Sequence, residues 1–453
     1  MENKFPVYFT NFGGGQNALY TYLTAILIRI CGTYNSVIIR LPALILSIIE
    51  VIICYKLARE FTGKKTSLLF MLMVTLAPWH IMKSRWGLES YLLSPLFAFS
   101  IYALVKAVKK KSLFIYFIAG ALFGLTLYTY ALSYIVVPVF LLLMLIYLIK
   151  NKQIKISQII VFAIPLAILA MPLIMLLLVQ RGIMEPIYSW ITIPKLLENR
   201  TGEIRILNPR EILDNLEKSF IIDGLFYNRV AGIGPIGFIG LFTAVIGLID
   251  IIRNRKNQEK FNLNVIMIFA FISNFILILF VEDMNINKAN GIYISVIYFG
   301  AIGIKYLYKQ SKILLTLTII MYMMTLGIFI YKYYFSEADI VANLFDYDAI
   351  ELMEYVNNNN KYADKKIHTS AINFIYGLYS KPISPKEFSE SKVIYQGQIT
   401  GIIGYSRITS MITFDDLNED DIYIVDYEID ARKIESQGFQ RENFGKYIIL
   451  YKD

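Results

Sequence analysis

The sequence contains very few residues of the types that bind metals or form disulfides. It has two cysteines, Cys31 and Cys54, and two histidines, His80 and His368, spread over 453 residues. A structural zinc site needs about four such ligands at close spacing, and these four are scattered. Cys54 stands inside an apolar block, which argues against a disulfide with Cys31. Residues 1–16 are polar and rich in glycine with no apolar core, so no cleavable signal peptide is visible.

Charged residues are scarce as well, at 17%, whereas 56% of the residues are hydrophobic and the mean hydropathy is +0.53. A soluble domain usually carries about 25% charge. The apolar residues fall in blocks of about 18–23 residues, the length that crosses a bilayer as a helix. This pattern predicts a polytopic α-helical membrane protein with about ten spans, at 36–58, 65–82, 90–108, 112–130, 132–149, 157–179, 235–252, 263–281, 291–308 and 312–334.

The basic residues follow every second apolar block, as they do in the cytoplasmic loops of membrane proteins. The net charge of +9 therefore reflects membrane topology, and we do not expect a nucleic-acid partner. The other loops, and everything after Phe335, are predicted to face outward. The basic loops contain Arg59, Lys64 and Lys65; Lys106, Lys109, Lys110 and Lys111; Lys150, Lys152 and Lys155; Arg253, Arg255, Lys256 and Lys260; and Lys305, Lys309 and Lys312.

Two domains are predicted, with a boundary near residue 335. Residues 1–335 form the membrane domain, with large outer loops at 1–35 and 180–234. Residues 336–453 form a small soluble α/β domain on the extracytoplasmic side. Its segments of helical spacing or strand composition are 346–356, 366–370, 421–427 and 446–452. Within the membrane domain, an interfacial helix is predicted at 18–33 and a surface helix at 208–220.

The stretch APWHIMKSRWGLESY, residues 77–91, turns from the second span into the third on the predicted outer face. It carries Arg85 and Glu89 four residues apart, beside Trp79 and Trp86. Two interpretations stay open from these residues alone. They form a functional site, or they are an ordinary pair of opposite charges at the membrane edge with aromatic anchors.

Three further cations are predicted at the same level of the membrane. They are Arg40 in IIRLPA, Lys83, and Lys288 in MNINKANG. Converging cations at an outer interface suit a phosphate ligand. Alternatively, each side chain extends separately toward the lipid headgroups.

Other residues in the apolar blocks also have two interpretations. Glu50 is the one carboxylate deep inside a predicted span. Charge there is costly and often functional, so Glu50 is a candidate functional residue. Alternatively, it is protonated and hydrogen-bonded to a neighbouring helix. Tyr128 and Tyr130 in GLTLYTYALSY lie at an outer turn, as interfacial anchors or as a surface that stacks on a sugar ring. His80 is most simply an interfacial histidine.

Three stretches together resemble one family. FPVYFTNFGGGQNALYTYLTAILIRICGTYNSVIIRLPALI, APWHIMKSRWGLESY and GLTLYTYALSYIVVPVF are similar to the polyprenyl-phosphate-sugar-dependent glycosyltransferases of the GT-C fold. This group includes the dolichyl-phosphate-mannose protein mannosyltransferases and the bacterial aminoarabinose transferases. The resemblance runs well from Phe5 to Lys150 and weakly to Phe335, and the C-terminal domain matches no family that we can name.

The resemblance implies roles for several residues. Arg85 would orient the donor phosphate or the first loop, and Glu89 would support the acceptor or a metal ion. Lys288 stands where the family often has a basic residue facing the donor phosphate, and Arg40 falls in a recurring structural element. Lys83, Tyr128, Tyr130 and His80 complete the predicted substrate-binding set. No cofactor is certain, and a divalent metal ion stays open.

The sequence also departs from the family pattern. Family members carry an acidic catalytic residue, often Asp-Glu, just after a first span that would lie upstream of Met1. The family's basic residue after the Tyr-rich turn is replaced by Tyr134. The cytoplasmic loop at 59–65 also places residues 1–35 outside without a preceding span. The upstream position of the acidic residue and the outward N-terminus both lead us to expect a missing N-terminal helix, and a truncated, inactive copy is one interpretation. The alternative is a short N-terminal tail that translocates unaided.

The sequence therefore predicts a multi-pass glycosyltransferase of a bacterial cell membrane. It would transfer a hexosyl or pentosyl group from a polyprenyl-phosphate carrier to a glycan, lipid or protein acceptor outside the cell. Two alternatives remain, a transporter or flippase of lipid-linked glycans and an O-antigen-type polymerase or ligase. A transporter should show broken helices or intramembrane charges along a path, and only Glu50 qualifies.

Overall fold

The computed structural model describes residues 5–11, 14–196, 203–221, 230–255, 259, 261–394 and 402–452. The chain divides into two compact units, of which the first comprises Phe5–Thr10 and Gly15–Ser336. The second comprises Glu337–Asp453. Each unit has its own hydrophobic core.

The first unit is built mainly of helices. These are α1 (Ala18–Cys31), α2 (Ser36–Arg59), α3 (Lys64–Leu76), α4 (Pro78–Lys83), α5 (Leu93–Lys110), α6 (Leu113–Thr126), α7 (Ser133–Lys150), α8 (Ile156–Gln180), α9 (Pro209–Phe220), α10 (Gly237–Arg253), α11 (Leu263–Phe280), α12 (Tyr293–Gln310) and α13 (Lys312–Tyr331). Short 3₁₀ turns, Glu89–Leu92 and Asn290–Ile292, precede α5 and α12.

Five short strands accompany these helices. Strands β1 (Phe5–Pro6), β5 (Ile191–Ile193) and β4 (Ile187–Tyr188) form a sheet in that order, in which β1 and β5 are parallel and β5 and β4 antiparallel. Strands β2 (Tyr8–Asn11) and β3 (Gly14–Asn17) form a separate pair. Helix α9 corresponds to the predicted surface helix at 208–220, and the Asn208 side chain caps its first turn.

Seven helical segments among the described residues are long and apolar enough to cross a bilayer. They are Ser36–Arg59, Glu89–Lys110, Ser133–Lys150, Ile156–Gln180, Leu263–Phe280, Asn290–Gln310 and Lys312–Ser336. The predicted helical membrane fold is therefore confirmed, whereas the count of about ten spans stays a prediction. The three other predicted spans correspond to shorter helices, α3, α6 and α10.

The predicted span at 65–82 is interrupted at Ala77. Helix α3 has 13 residues, which is about 20 Å of helix, whereas the hydrocarbon core is about 30 Å thick. Ala77 has extended backbone angles (φ −65°, ψ 130°), because the ring of Pro78 disfavours a helical conformation in the residue before it. The chain therefore turns at Pro78 and enters α4 in a new direction.

Helices α10 and α12 pack closely through glycine. A Cβ atom on Gly247 would come within 1.8 Å of the Phe299 carbonyl oxygen, and one on Gly303 within 1.9 Å of the Thr243 carbonyl oxygen. Since lipid tails are as apolar as the helix surfaces, such close contact between backbones is a main source of helix association in a bilayer. This contact helps to position the N-terminal end of α12, which follows Lys288 in the chain.

The second unit contains helices and a seven-stranded mixed sheet. The helices are α14 (Ala338–Leu344), α15 (Tyr347–Asn358), α16 (Ile375–Ser380), α17 (Pro385–Ser391) and α18 (Glu428–Glu435). The strands are β6 (Ile367–Thr369), β7 (Val393–Ile394), β8 (Ile402–Tyr405), β9 (Ile408–Thr409), β10 (Ile422–Val425), β11 (Gln440–Phe444) and β12 (Tyr447–Tyr451). Their order is β11-β12-β10-β6-β9-β8-β7, with β6 parallel to both β10 and β9.

The interior strand β10 is buried on both faces of this sheet. Ile422 and Ile424 belong to one core cluster, which includes Leu352 of α15, whereas Tyr423 and Val425 belong to another, which includes Ile434 of α18. Successive side chains of a strand point to opposite faces, so helices cover both sides. The predicted α/β character of this part of the chain is confirmed.

Replacing Gly247 by alanine should destabilise the first unit. The added Cβ would meet the α12 backbone, and overpacking of this kind costs about 1–3 kcal/mol. The measurement is the thermal unfolding midpoint of the purified protein in detergent. The matched control is Gly327→Ala on α13, where a Cβ meets no atom within 4 Å. Equal midpoints for the two variants would contradict the packing described here.

Candidate functional site

The loop between α4 and α5 lies against the segment that precedes α12. The Trp79 indole donates a hydrogen bond to Asn290 Oδ1 at 2.8 Å, and Asn290 Nδ2 donates to the Ser90 carbonyl at 2.6 Å. The Tyr91 hydroxyl donates to Asn287 Oδ1 at 2.8 Å. The structure thus brings together two stretches that the sequence singled out separately, residues 77–91 and 284–291.

Arg85 is exposed and lies over two aromatic rings. Its guanidinium carbon is 5.2 Å from the ring centroid of Tyr333 and 4.8 Å from that of Tyr334. Trp86 is hydrogen-bonded to Tyr333, and Arg40 acts electrostatically on the same tyrosine. Arg40 is exposed as well. Arg85 therefore covers Tyr333, and Arg40 from a different element is near enough to act on it electrostatically. Both guanidinium groups are exposed and so accessible to an anion.

Tyr20 of α1 contacts the first turns of α2, close to Arg40. Its hydroxyl donates a hydrogen bond to the Ile39 carbonyl at 2.8 Å. Burial raises the pKa of Tyr20 to about 12, although a backbone hydrogen bond at Ala43 and the charge of Arg40 oppose this shift. The phenol is therefore neutral at physiological pH and acts as a fixed hydrogen-bond donor that ties α1 to α2.

Glu89 faces a different set of neighbours from Arg85. The Asn17 backbone N–H donates to Glu89 Oε2, and the Tyr134 hydroxyl donates to Asn17 Oδ1 at 2.6 Å. Asn17 is fully buried immediately before α1, and Glu89 is half-buried. Glu89 is thus held at the start of α1, with Tyr134 two contacts away.

The Tyr-rich turn lies on the same side of α1. The Tyr128 carbonyl accepts a hydrogen bond from the Leu19 N–H at 3.4 Å, and the Tyr128 hydroxyl donates to the Leu169 carbonyl at 2.7 Å. Tyr128 also lines a cavity of about 700 Å³ together with Tyr22, Trp190 and other residues of β1, α1 and β5. Tyr130 is half-buried and packs against the core.

Lys288 is engaged by protein groups. Its ammonium donates to Glu203 Oε2 and to the Glu282 carbonyl, both at 2.9 Å, and its side chain is 15% exposed. The predicted phosphate contact at Lys288 would therefore compete with Glu203. Sequence reasoning missed this partner because Glu203 is 85 residues away in the chain.

An arginine network surrounds Glu282 beside this lysine. Arg205 Nε donates to Glu282 Oε1 at 2.6 Å, and Arg205 Nη2 donates to Glu211 Oε1 at 2.5 Å. The hydrogen bonds from Arg205 and from the Asn208 N–H lower the pKa of Glu211. These contacts attach the start of α9 to the segment after α11.

Lys83 and His80 converge on Glu50 inside the protein. Glu50 and Lys83 are both fully buried, and the Lys83 ammonium donates to Glu50 Oε2. His80 Nε2 lies 3.3 Å from the same oxygen, and the Ser94 hydroxyl donates to Glu50 Oε1. Two predicted substrate-binding residues thus contact a carboxylate that the sequence left unexplained.

An apolar groove of about 260 Å³ lies among α3, α10, α12 and α13. Its wall on α13 extends from Ile319 to Leu326, and its opposite wall extends from Leu69 to Pro78. Tyr333, beside Arg85, is seven residues beyond Leu326 in the same direction, which is roughly 10 Å of helix. The groove is therefore lined mostly by apolar residues, and its Leu326 end is about two helical turns from Tyr333, the ring that Arg85 covers.

No group of three or more His, Cys, Asp or Glu side chains suited to hold a metal ion occurs in the part of the chain that the structure describes. Glu89, the residue suggested for a metal, contacts Asn17.

Residues 17–178 match the model of the family described as dolichyl-phosphate-mannose-protein mannosyltransferase. Among curated proteins, none matches the sequence.

Solved structures share the fold at low sequence identity. The chain is similar to ArnT from Cupriavidus metallidurans bound to undecaprenyl phosphate, with a TM-score of 0.61 and 9% identity over 97% of this chain and 88% of that one. It is also similar to the same protein in the apo state, with a TM-score of 0.62 and 8% identity over the same shares of the two chains.

A third structure is an archaeal oligosaccharyltransferase, AglB from Archaeoglobus fulgidus in complex with an inhibitory peptide and a dolichol-phosphate. Its TM-score is 0.50 and its identity 11%, over 93% of this chain and 62% of that one. The chain thus has the GT-C fold, and the predicted resemblance to the polyprenyl-phosphate-sugar-dependent glycosyltransferases of that fold is confirmed.

Proposed function

We propose that the protein is a membrane glycosyltransferase that takes a hexosyl or pentosyl group from a polyprenyl-phosphate carrier. The observation that carries the proposal is the exposed Arg85 over Tyr333, about two helical turns beyond one end of an apolar groove. The exposed Arg40 acts electrostatically on the same tyrosine. A polyprenyl phosphate combines a long apolar chain with one anionic headgroup. The groove suits the chain, and guanidinium groups suit the phosphate because they donate in a planar fork.

The proposed reaction breaks the bond between the anomeric carbon of the sugar and the phosphate oxygen. A bond from the acceptor oxygen to that carbon forms, the acceptor proton passes to the Glu89 carboxylate, and polyprenyl phosphate leaves. Arg85 would stabilise the phosphate as it gains charge. Glu89 would accept a hydrogen bond from the acceptor hydroxyl and orient it, while the Asn17 N–H holds the carboxylate in place.

The names of the matching family and of the similar structures agree with this proposal. The family acts with dolichyl-phosphate-mannose, ArnT is bound to undecaprenyl phosphate, and AglB is in complex with a dolichol-phosphate. The acceptor of the present chain would be a glycan, a lipid or a protein outside the cell. The proposal uses no metal ion.

The transporter alternative depended on Glu50 as a charge along a membrane path. Glu50 is fully buried and paired with Lys83, and the Ser94 hydroxyl occupies its second oxygen. A carboxylate with these partners no longer supports a transport path. No specific observation favours the polymerase alternative over the transferase.

The proposal includes an orientation in a bacterial cell membrane. The donor is carried across the membrane on a lipid because nucleotide sugars are cytoplasmic, so the arginines and residues 336–453 would lie outside. The basic clusters that follow alternate apolar blocks would lie in the cytoplasm.

Replacing Arg85 by alanine should weaken binding of undecaprenyl phosphate by about 10- to 100-fold, because a hydrogen bond to a charged group contributes about 1.5–3 kcal/mol. Binding is measured by native mass spectrometry in nanodiscs. The matched control, Arg181→Ala, removes an exposed arginine that follows α8. Undecaprenol, which lacks the phosphate, should bind weakly to all three proteins. Equal affinity of wild type and Arg85→Ala for undecaprenyl phosphate would refute the role of Arg85.

Replacing Glu89 by glutamine should lower sugar transfer by about 10²-fold or more, which is the usual effect of losing a group that assists proton transfer. Glutamine can still accept the Asn17 hydrogen bond, so binding of undecaprenyl phosphate should stay within twofold of wild type. The assay follows release of polyprenyl phosphate from a panel of polyprenyl-phosphate hexoses and pentoses in membranes that contain the acceptor. A wild-type release rate in the Glu89→Gln variant would contradict the proposed role of Glu89.

Single cysteines test the orientation in intact cells, in a background in which the exposed Cys31 is replaced by serine. A membrane-impermeant maleimide should label a cysteine at Tyr427, which is 66% exposed in the second unit. The same reagent should label a cysteine at Lys110, at the exposed end of α5, only after the cells are permeabilised. The opposite labelling pattern would reverse the proposed topology.

A further inference from the structure

The carboxylate of Glu50 connects three helices through its two oxygen atoms. Oε2 accepts from the Lys83 ammonium at the end of α4, and Oε1 accepts from the Ser94 hydroxyl in the first turn of α5. Glu50 itself lies in the middle of α2. All three side chains are at most 1% exposed. A single buried group thus holds two points of the chain that are eleven residues apart.

These two points are the ends of the loop that carries the candidate site. Residues 84–93 lie between these two points, from the end of α4 to the first residue of α5, and Arg85 and Glu89 lie within them. The other side of the loop is held by Asn290, which accepts from Trp79 and donates to the Ser90 carbonyl. The loop is therefore fixed at both ends by Glu50 and in the middle by the segment before α12.

Stability alone is a weak reason for this arrangement. Removing two charges from water is costly, and a buried ion pair is often no more stabilising than apolar residues of the same size. The ion pair instead fixes the relative positions of the helices, because a carboxylate and an ammonium satisfy each other only in specific geometries. Additional contacts restrict the cluster further, since His80 Nε2 lies 3.3 Å from Glu50 and the Lys83 ammonium lies 4.1 Å from the Trp79 ring.

We propose that Glu50 is a positioning residue that sets the conformation of the loop 84–93 and thereby the placement of Arg85 for the donor phosphate. Glu50 touches no reacting atom in this scheme and acts through Lys83 and Ser94. The proposal rests on the function proposed above for its effect on ligand binding. Its effect on the loop conformation is independent of that function.

Two single variants test the proposal without removing the ion pair. Ser94→Ala deletes one of the two contacts and leaves Lys83 paired with Glu50. Glu50→Asp keeps the charge but is shorter by one carbon–carbon bond, about 1.5 Å, so it cannot reach both ends of the loop at once. Each should lower the affinity for undecaprenyl phosphate at least fivefold in nanodiscs.

The matched control is Tyr298→Phe. It also removes one buried hydroxyl, whose hydrogen bond to Asn264 Oδ1 measures 2.7 Å, but it lies between α12 and α11 away from the loop. Its undecaprenyl phosphate affinity should stay within twofold of wild type at a comparable change in thermal midpoint. A fourfold or larger loss in this control would show that loss of stability alone explains the effect and would overturn the proposal.

A second measurement follows the loop itself. Spin labels at Leu88 and at the exposed Ile313 report one distance by pulsed electron paramagnetic resonance, in the Cys31→Ser background. Ser94→Ala and Glu50→Asp should shift or broaden this distance distribution, whereas Tyr298→Phe should not. If Glu50→Asp does not fold, Ser94→Ala and the charge-free pair Glu50→Gln with Lys83→Met provide the same test.

The two measurements separate this proposal from the function on which it rests. If wild type does not bind undecaprenyl phosphate, the proposed function fails, and the distance distributions still decide the role of Glu50. Unchanged distances in Ser94→Ala and Glu50→Asp would overturn the positioning role. Changed distances together with weakened binding in both variants would support it.

Discussion

The pairing of Glu50 with Lys83 is the interaction on which the organisation of the candidate site depends. A charge inside an apolar helix bundle must find a partner, because no water is available to solvate it. Lys83 supplies that partner from the turn that Pro78 creates after α3. The break at Ala77, which shortens a predicted span, therefore also brings the lysine inward. The loop that follows starts and ends at the same carboxylate.

The cations at this end of the first unit have different partners and so offer different chemistry. Lys83 is committed to Glu50, and Lys288 is committed to Glu203 and the Glu282 carbonyl. Arg85 and Arg40 are exposed, and both act on Tyr333. Burial and pairing thus divide residues of the same charge into those that hold the structure and those that remain accessible to an anionic ligand. The same division explains why the arginines carry the proposed function.

The second unit is built on a different principle from the first. In the helical unit, the close approach of α10 and α12 depends on Gly247 and Gly303, because the backbones contact each other directly. In the second unit, β10 alternates its side chains between two cores covered by different helices. The alternating and helical periodicities are local features, so the sequence predicted the strands at 421–427 and 446–452 and the helix at 346–356 within a few residues. The order of the seven strands was not predictable in this way, since β6 pairs with β10 across more than fifty residues.

The sequence by itself determined the class of protein and most of its helices, because hydropathy, basic loops and turn residues act over short distances. It also identified Arg85, Glu89, Lys288 and Glu50 as residues of interest. Only the tertiary structure decided which of them meet. Nothing local in the chain indicates that Glu50 faces Lys83 and Ser94, or that Asn290 joins Trp79 to Ser90. These contacts join residues 33 to 211 positions apart, and they depend on how helices pack, which the periodicity of any one segment does not encode.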